Sequence, residues 1–124
     1  MTSFRLDLPE PRTTSVIFAS PHSGAEYPWS FLRQSVLDEK TIRSSEDAFV
    51  DRLFEAAPTF GAPLLTARRP RAYVDLNRGS DELDPAVISG VMRATHNPRI
   101  ASGLGVIPRV VANGRAIYSG KLTM

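Results

Sequence analysis

Two of the 124 residues are histidines, His22 and His96. His22 stands in Ser20-Pro21-His22-Ser23-Gly24, directly after the apolar run Val16-Ile17-Phe18-Ala19. In open α/β sheets, ligands collect beyond the carboxyl ends of the strands, and this turn follows such an end. Pro21 stiffens the turn and Gly24 permits close backbone approach. A neutral imidazole there suits a zinc ligand or a general base working near neutral pH; a surface histidine in a β-to-α loop is the plainer alternative. A second pair, Glu46 and Asp47, follows Ser44-Ser45. Acidic residues in a first helical turn are good electrostatics by themselves. The functional alternative is a carboxylate metal ligand facing His22 across the sheet edge. The third cluster is "RRPRAYVDLNR", residues 68–78. The planar fork of arginine matches a carboxylate in two parallel hydrogen bonds, and Asn77 adds an amide that donates and accepts. Asn77-Arg78 therefore reads as a small-anion site, Asp75 as a group that fixes a guanidinium, and Arg68-Arg69 as a solvated basic face.

Other chemistry finds less support. His96, in "RATHNPR", has no obvious partner and reads as structural or surface. Ser23 beside His22 lacks the G-x-S-x-G elbow of a serine nucleophile. Neither a Walker loop nor G-x-G-x-x-G occurs, so nothing points to a nucleotide.

The elements that must position these clusters follow from pattern. Residues 1–13 read as a flexible arm. Thr14–Ala19 predicts a strand buried on both faces, the habit of parallel or mixed sheets covered by helices. Residues 28–36 predict a short helix. A longer one is expected from a Ser44 or Ser45 cap, with Phe49, Val50, Leu53, Phe54 and Ala57 as its apolar stripe and Pro58 and Gly61 at its end. "APLLTA" and "AYVDL" read as strands. Residues 85–93, "PAVISGVMR", fit helix or loop. "PRVVANGRAIYSG" reads as a hairpin turning on Asn113-Gly114. Strands alternating with helices make an α/β order. The last segment, "SGKLTM", brings no closing helix, which suggests an unfinished end.

Composition is that of a soluble globular chain, with 42% hydrophobic and 23% charged residues. A net charge of +2 is too small to argue for nucleic acid. No apolar run approaches the ~20 residues of a membrane span, and the N-terminus lacks the apolar stretch of a signal peptide. With no cysteine there is neither a disulfide framework nor a thiolate zinc site. A cytoplasmic location fits.

In this order, "SPHSGAEYP", "EDAFVDRLFEAAPTFGAPLLTA", "RAYVDLNR" and "GLGVIPRVVANGRAIYSGKL" resemble the N-formylglutamate amidohydrolase family, over residues 14–124. "PHSG" followed by "VDLNR" is the more specific part. The resemblance implies a three-layer α/β/α sandwich with a mixed, mostly parallel sheet, like that of zinc carboxypeptidases, succinylglutamate desuccinylase and aspartoacylase. It implies zinc-assisted hydrolysis of the amide of a small N-acyl (formyl) amino acid, with no nucleic-acid or membrane partner. His22 matches the first zinc-binding histidine, and Arg71, Asn77 and Arg78 match the residues that hold the substrate carboxylate. Relatives usually carry His-x-x-Glu; the third residue after His22 is Ala25, so the second ligand falls to Asp47, with Glu46 and Glu26 as alternatives. The family's later histidines and its general base are expected beyond Met124. The fold is then expected to be incomplete at its C-terminus, with apolar edges at Val106-Ile107, Val110-Val111 and Ile117-Tyr118, and the chain inactive alone. A non-catalytic carboxylate-binding domain and an inert truncated product are the two rival expectations.

Overall fold

In chain order the elements are β1 (Phe4–Asp7), β2 (Phe18–Ser20), α1 (Trp29–Gln34), α2 (Glu39–Ile42), α3 (Val50–Leu53), β3 (Leu64–Ala67) and α4 (Pro98–Ala101), with 3-10 turns at Arg43–Ser45, Ala57–Phe60 and Ala112–Gly114. This computed structural model describes residues 2–92 and 96–123. The sheet order is β1-β3-β2. β3 runs parallel to β2 and antiparallel to β1, so the expected mostly parallel sheet is here one pairing of each kind.

Register sorts the side chains onto two faces, because successive residues of a strand point to opposite sides. Asp7, Leu64 and Phe18 share one row, and Arg5, Thr66 and Ser20 the next. Leu64, Thr66 and Ser20 are buried, and Phe54 packs its ring on Phe18 at 5.4 Å. The opposite face carries Leu6, Leu65 and Ala19 in one row and Phe4 beside Ala67 in another.

Three expectations are corrected here. A strand lies inside the segment read as an arm: Phe4 and Leu6 alternate with Arg5 and Asp7 at the strand period, and the Arg68 N–H bonds to the Ser3 carbonyl at its start. The run from Thr14 enters the sheet only at Phe18, whose N–H bonds to Pro63 O. Before that, the Thr14 hydroxyl takes the Val16 N–H in a local turn, and Val16 and Ile17 stay exposed rather than buried on both faces. The long helix from Ser44 is broken into the Arg43–Ser45 turn, α3 and the Ala57–Phe60 turn. Glu46 is extended, and Phe49 takes the left-handed conformation with φ of 66°. Phe49, Leu53 and Phe54 of the expected stripe are exposed. The Asp47 N–H bonds to the His22 carbonyl, which takes this backbone out of the helical ladder.

A buried hydrophobic cluster lies off the sheet. Phe31, Ile42, Ala72, Val111 and Ile117 form the core, flanked by Tyr27, Leu37, Tyr73 and Tyr118. Phe31 is its hub, with the rings of Tyr73, Tyr27 and Tyr118 at 5.2, 6.1 and 6.2 Å. Burial, with Tyr73 nearby, pushes the Tyr118 hydroxyl up to about 12. The short helix expected at 28–36 is α1, and its exit is tied to the core by the Val36 N–H on Ile117 O. Asn113 and Gly114 have φ of 62° and 67°, and the turn they make is closed by the Val110–Ala116 bridge. This corrects the expectation of apolar edges there, because Val111 and Ile117 are buried and Val106, Ile107, Val110 and Tyr118 are half-buried. Residues 85–92 form turns with one parallel bridge, Ile88 to Leu122; Arg93, the last of that ambiguous stretch, lies outside the described residues, as do Ala94 and Thr95 before His96. Among the described residues, no helix is long and apolar enough to cross a membrane.

Asp38 caps α2: its carboxylate accepts the Thr41 N–H at 2.7 Å. That bond holds its carboxyl below the ordinary value of 3.8. A depressed folded value means stability that is present above the ordinary pKa and lost as pH falls through the lowered one. Asp38→Asn keeps a cap but removes the titration, so thermal unfolding of the variant should fall less steeply than wild type as the solution is acidified below pH 3.8. Parallel melting-temperature curves in that range would contradict this origin.

Candidate active site

β2 ends at Ser20, and the turn after it carries His22 into the interior. Ser20 Oγ and Ser23 Oγ lie 2.6 Å apart and brace the turn. Gly24 runs against the neighbouring backbone so closely that a Cβ there would collide with the Arg69 carbonyl. The Glu26 N–H then bonds to Arg68 O. His22 is consequently held at both ends and 8% exposed.

Its ring joins two carboxylates. Nε2 lies 2.8 Å from Asp75 Oδ1, and Nδ1 lies 3.6 Å from Asp47 Oδ2. Asp75 is buried and accepts from three sides: His22 Nε2, the Asn77 N–H at 2.9 Å and Arg71 Nη2 at 3.1 Å. Burial by itself would raise the Asp75 carboxyl, but these bonds together hold it below the ordinary carboxylate value. An ionised Asp75 is an acceptor only, so the proton of a neutral His22 belongs on Nε2, and the Nδ1 lone pair faces Asp47. Arg71 also approaches Asp47, at 3.8 Å.

The other proposed acids point elsewhere. Glu46 takes the Tyr27 hydroxyl and pairs with Arg43 at 3.3 Å. Burial, then the bond to Glu46, push the Tyr27 hydroxyl well above its usual range. Glu26 pairs with Arg68 at 2.7 Å, and Arg69 Nη1 bonds to the Glu26 carbonyl. Arg68 and Arg69 are thus half-buried and bonded, not the solvated face expected. His96 is exposed.

The "AYVDL" segment forms turns instead of the expected strand. The Tyr73 and Val74 N–H groups both reach Pro70 O, and the Asp75 side chain captures the Asn77 N–H. A carboxylate bonding its own backbone two residues on competes with the strand ladder. Arg71 comes into the cluster, whereas Arg78 leans on Leu104 O and Asn77 O at 2.9 Å each and pairs with no carboxylate among the described residues. The Asn77 side chain is exposed. A cavity of about 400 Å³ opens beside Arg71 and Asp75, walled by Ser45, Ser102, Leu104 and Pro108. His22, Asp47, Asn77 and Arg78 do not line it.

The residue that sequence reasoning undervalued is Asp75. It does fix a guanidinium, that of Arg71, but it also anchors the histidine. The available signal was a carboxylate at the head of the same turn as Asn77-Arg78. Among the described residues no group of three or more His, Cys, Asp and Glu side chains could hold a metal ion. His22 and Asp47 nevertheless suit one as a pair. Donors 3.6 Å apart with bonds of about 2 Å would subtend about 130°, wider than tetrahedral, so the pair would close by a few tenths of an ångström around an ion. A ligating histidine characteristically gives its other ring N–H to a carboxylate, as His22 does to Asp75.

The N-formylglutamate amidohydrolase family model matches residues 14–124. The chain is also similar to the crystal structure of N-formylglutamate amidohydrolase from Ralstonia eutropha JMP134, with 38% identity and a TM-score of 0.87 over 99% of this chain. It spans 44% of the length of that relative. No curated protein matches. A family match over nearly all of the chain, together with a solved relative of the same shape, shows that this chain belongs to the N-formylglutamate amidohydrolase family.

Proposed function

We propose that this chain forms the metal- and substrate-binding part of an amidohydrolase that cleaves the amide of a small N-acyl amino acid, N-formylglutamate being the first candidate. The observation that carries the reading is the approach of His22 Nδ1 to Asp47 with Asp75 behind the ring. His22 and Asp47 would hold a divalent ion, zinc foremost. Such an ion would polarise the acyl carbonyl and lower the pKa of a bound water. Asp75 keeps the Nε2 proton in place and so aims the other ring nitrogen. Arg71 offsets the charge of the two aspartates. Arg78 and Asn77 offer donors to a substrate carboxylate; with the Arg78 guanidinium steadied by two carbonyls, little rotational freedom is left to lose on binding. A further ligand and a general base would complete such a site.

Zinc titration by calorimetry tests the metal pair. Wild type is expected to bind, and His22→Ala and Asp47→Ala to lose affinity by about tenfold or more, while Glu46→Ala keeps it. Equal affinity of His22→Ala and wild type would overturn the assignment.

A further inference from the structure

The turns at Arg43–Ser45 and Ala112–Gly114 each border two cavities. One is the cavity beside Arg71 and Asp75, with Ser45, Ala112 and Asn113 in its wall. The other, of about 460 Å³, is lined by Lys40, Thr41, Ser44, Ala112, Asn113 and Arg115. Its chemistry is one-sided. Every side chain in the lining except that of Ala112 can donate a hydrogen bond, and two of them are cations. Among the described residues neither Lys40 nor Arg115 forms an ion pair. Arg115 Nη1 reaches the Thr41 hydroxyl at 3.4 Å, which is long for a hydrogen bond and easily exchanged. Asp38 is an acid that feels the Arg115 charge, but its carboxylate is committed to the Thr41 N–H at 2.7 Å. Neither Asp38 nor Glu39 lines the cavity.

Unpaired positive charge among several donors selects an anion. The planar fork of arginine takes two oxygens of one group, and lysine adds a point charge. Two cations match a group that carries a charge of about −1.5 to −2, as a phosphate monoester does and a single carboxylate does not. We propose that Lys40 and Arg115, with the Thr41 and Ser44 hydroxyls and the Asn113 amide, form a binding site for a phosphate group, free or as the ester of a small molecule. The bound group bridges residues 40–44 to residues 113–115, two stretches that the long Arg115–Thr41 bond already links. The site shares no residue with the His22–Asp47 pair or with Asn77 and Arg78, so it stands or falls independently of the metal reading.

The test is two-dimensional NMR of the nitrogen-15-labelled protein, titrated at constant ionic strength with inorganic phosphate and, separately, with glycerol 1-phosphate. Saturable shifts are expected at the amides of Thr41, Ser44, Asn113 and Arg115. Arg115→Ala should weaken phosphate binding about tenfold, as the loss of charge-assisted bonds implies. Lys40→Ala, which removes a solvated point charge, should weaken it about threefold. Lys121→Ala removes the same charge outside this cavity and should leave the affinity unchanged. Tighter binding of the ester would identify a phosphorylated small molecule as the ligand, and equal affinities the free ion; both support the site. Lys40 and Arg115 are exposed, so their substitution leaves the core intact, and the location of the shifts in unmodified protein decides the matter without the variants. Shifts that are absent, that grow without saturating, that centre on other residues, or that weaken equally in Arg115→Ala and Lys121→Ala would each overturn the proposal.

Discussion

Asp75→Ala should lower the folding free energy by about 3–5 kcal/mol, the range for removing one partner from a buried ionic cluster. The carboxylate is 3% exposed and accepts from His22, Arg71 and the Asn77 N–H at once. Its removal strands an imidazole N–H and a backbone N–H that the carboxylate had satisfied, and among the described residues leaves Arg71 the longer contact to Asp47. Asp75→Asn keeps the volume and one acceptor oxygen, and the cost should fall to about 1–3 kcal/mol, that of imperfectly matched buried hydrogen bonds. Urea unfolding at neutral pH measures both. A loss under about 1 kcal/mol for Asp75→Ala would mean that the three donors find other acceptors, and that the cluster does not organise the turn.

The second large effect belongs to Phe31→Ala, with an expected loss of about 3–5 kcal/mol. Phe31 is 2% exposed and touches three tyrosine rings that come from separate stretches of the chain. Its deletion opens a void that short, well-bonded turns cannot close. Small domains hold only about 5–15 kcal/mol in all, so this loss would remove a large share of the stability. Urea unfolding followed by Trp29 fluorescence reports it; an unchanged midpoint would place the stabilising core elsewhere.

The sequence disclosed the elements whose causes are local. β3 lies inside "APLLTA", α1 inside 28–36, and Asn113-Gly114 turns as its positive φ preference dictates. His22 was legible as a strand-end residue, because apolar run, proline and glycine are all local signals. The losses came where a distant partner decided. The helix from Ser44 had good periodicity, but the His22 carbonyl claims the Asp47 N–H and Tyr27 with Arg43 claims Glu46. "AYVDL" has strand propensity, but Asp75 spends its carboxylate on the turn and on His22. β1 was visible as alternation and was outweighed by the prolines that follow it. The pairing of His22 with Asp47 rather than Glu46 or Glu26 depends on where three side chains turn, which spacing alone could not reveal.

The sheet also has a kinetic consequence. β3 must meet Phe18 opposite Leu64 and Phe4 opposite Ala67, and both pairings close long loops. Each closure gives up chain entropy before any ladder bond repays it, and topologies of this kind fold slowly. The Phe31 cluster draws on residues from Tyr27 to Tyr118, so it is no more local. During refolding, Phe4, Leu6, Leu65 and the free strand edges would therefore remain accessible together for a long interval. Dilution, rather than temperature, becomes the variable that governs how much chain reaches the native state before strands of neighbouring molecules pair.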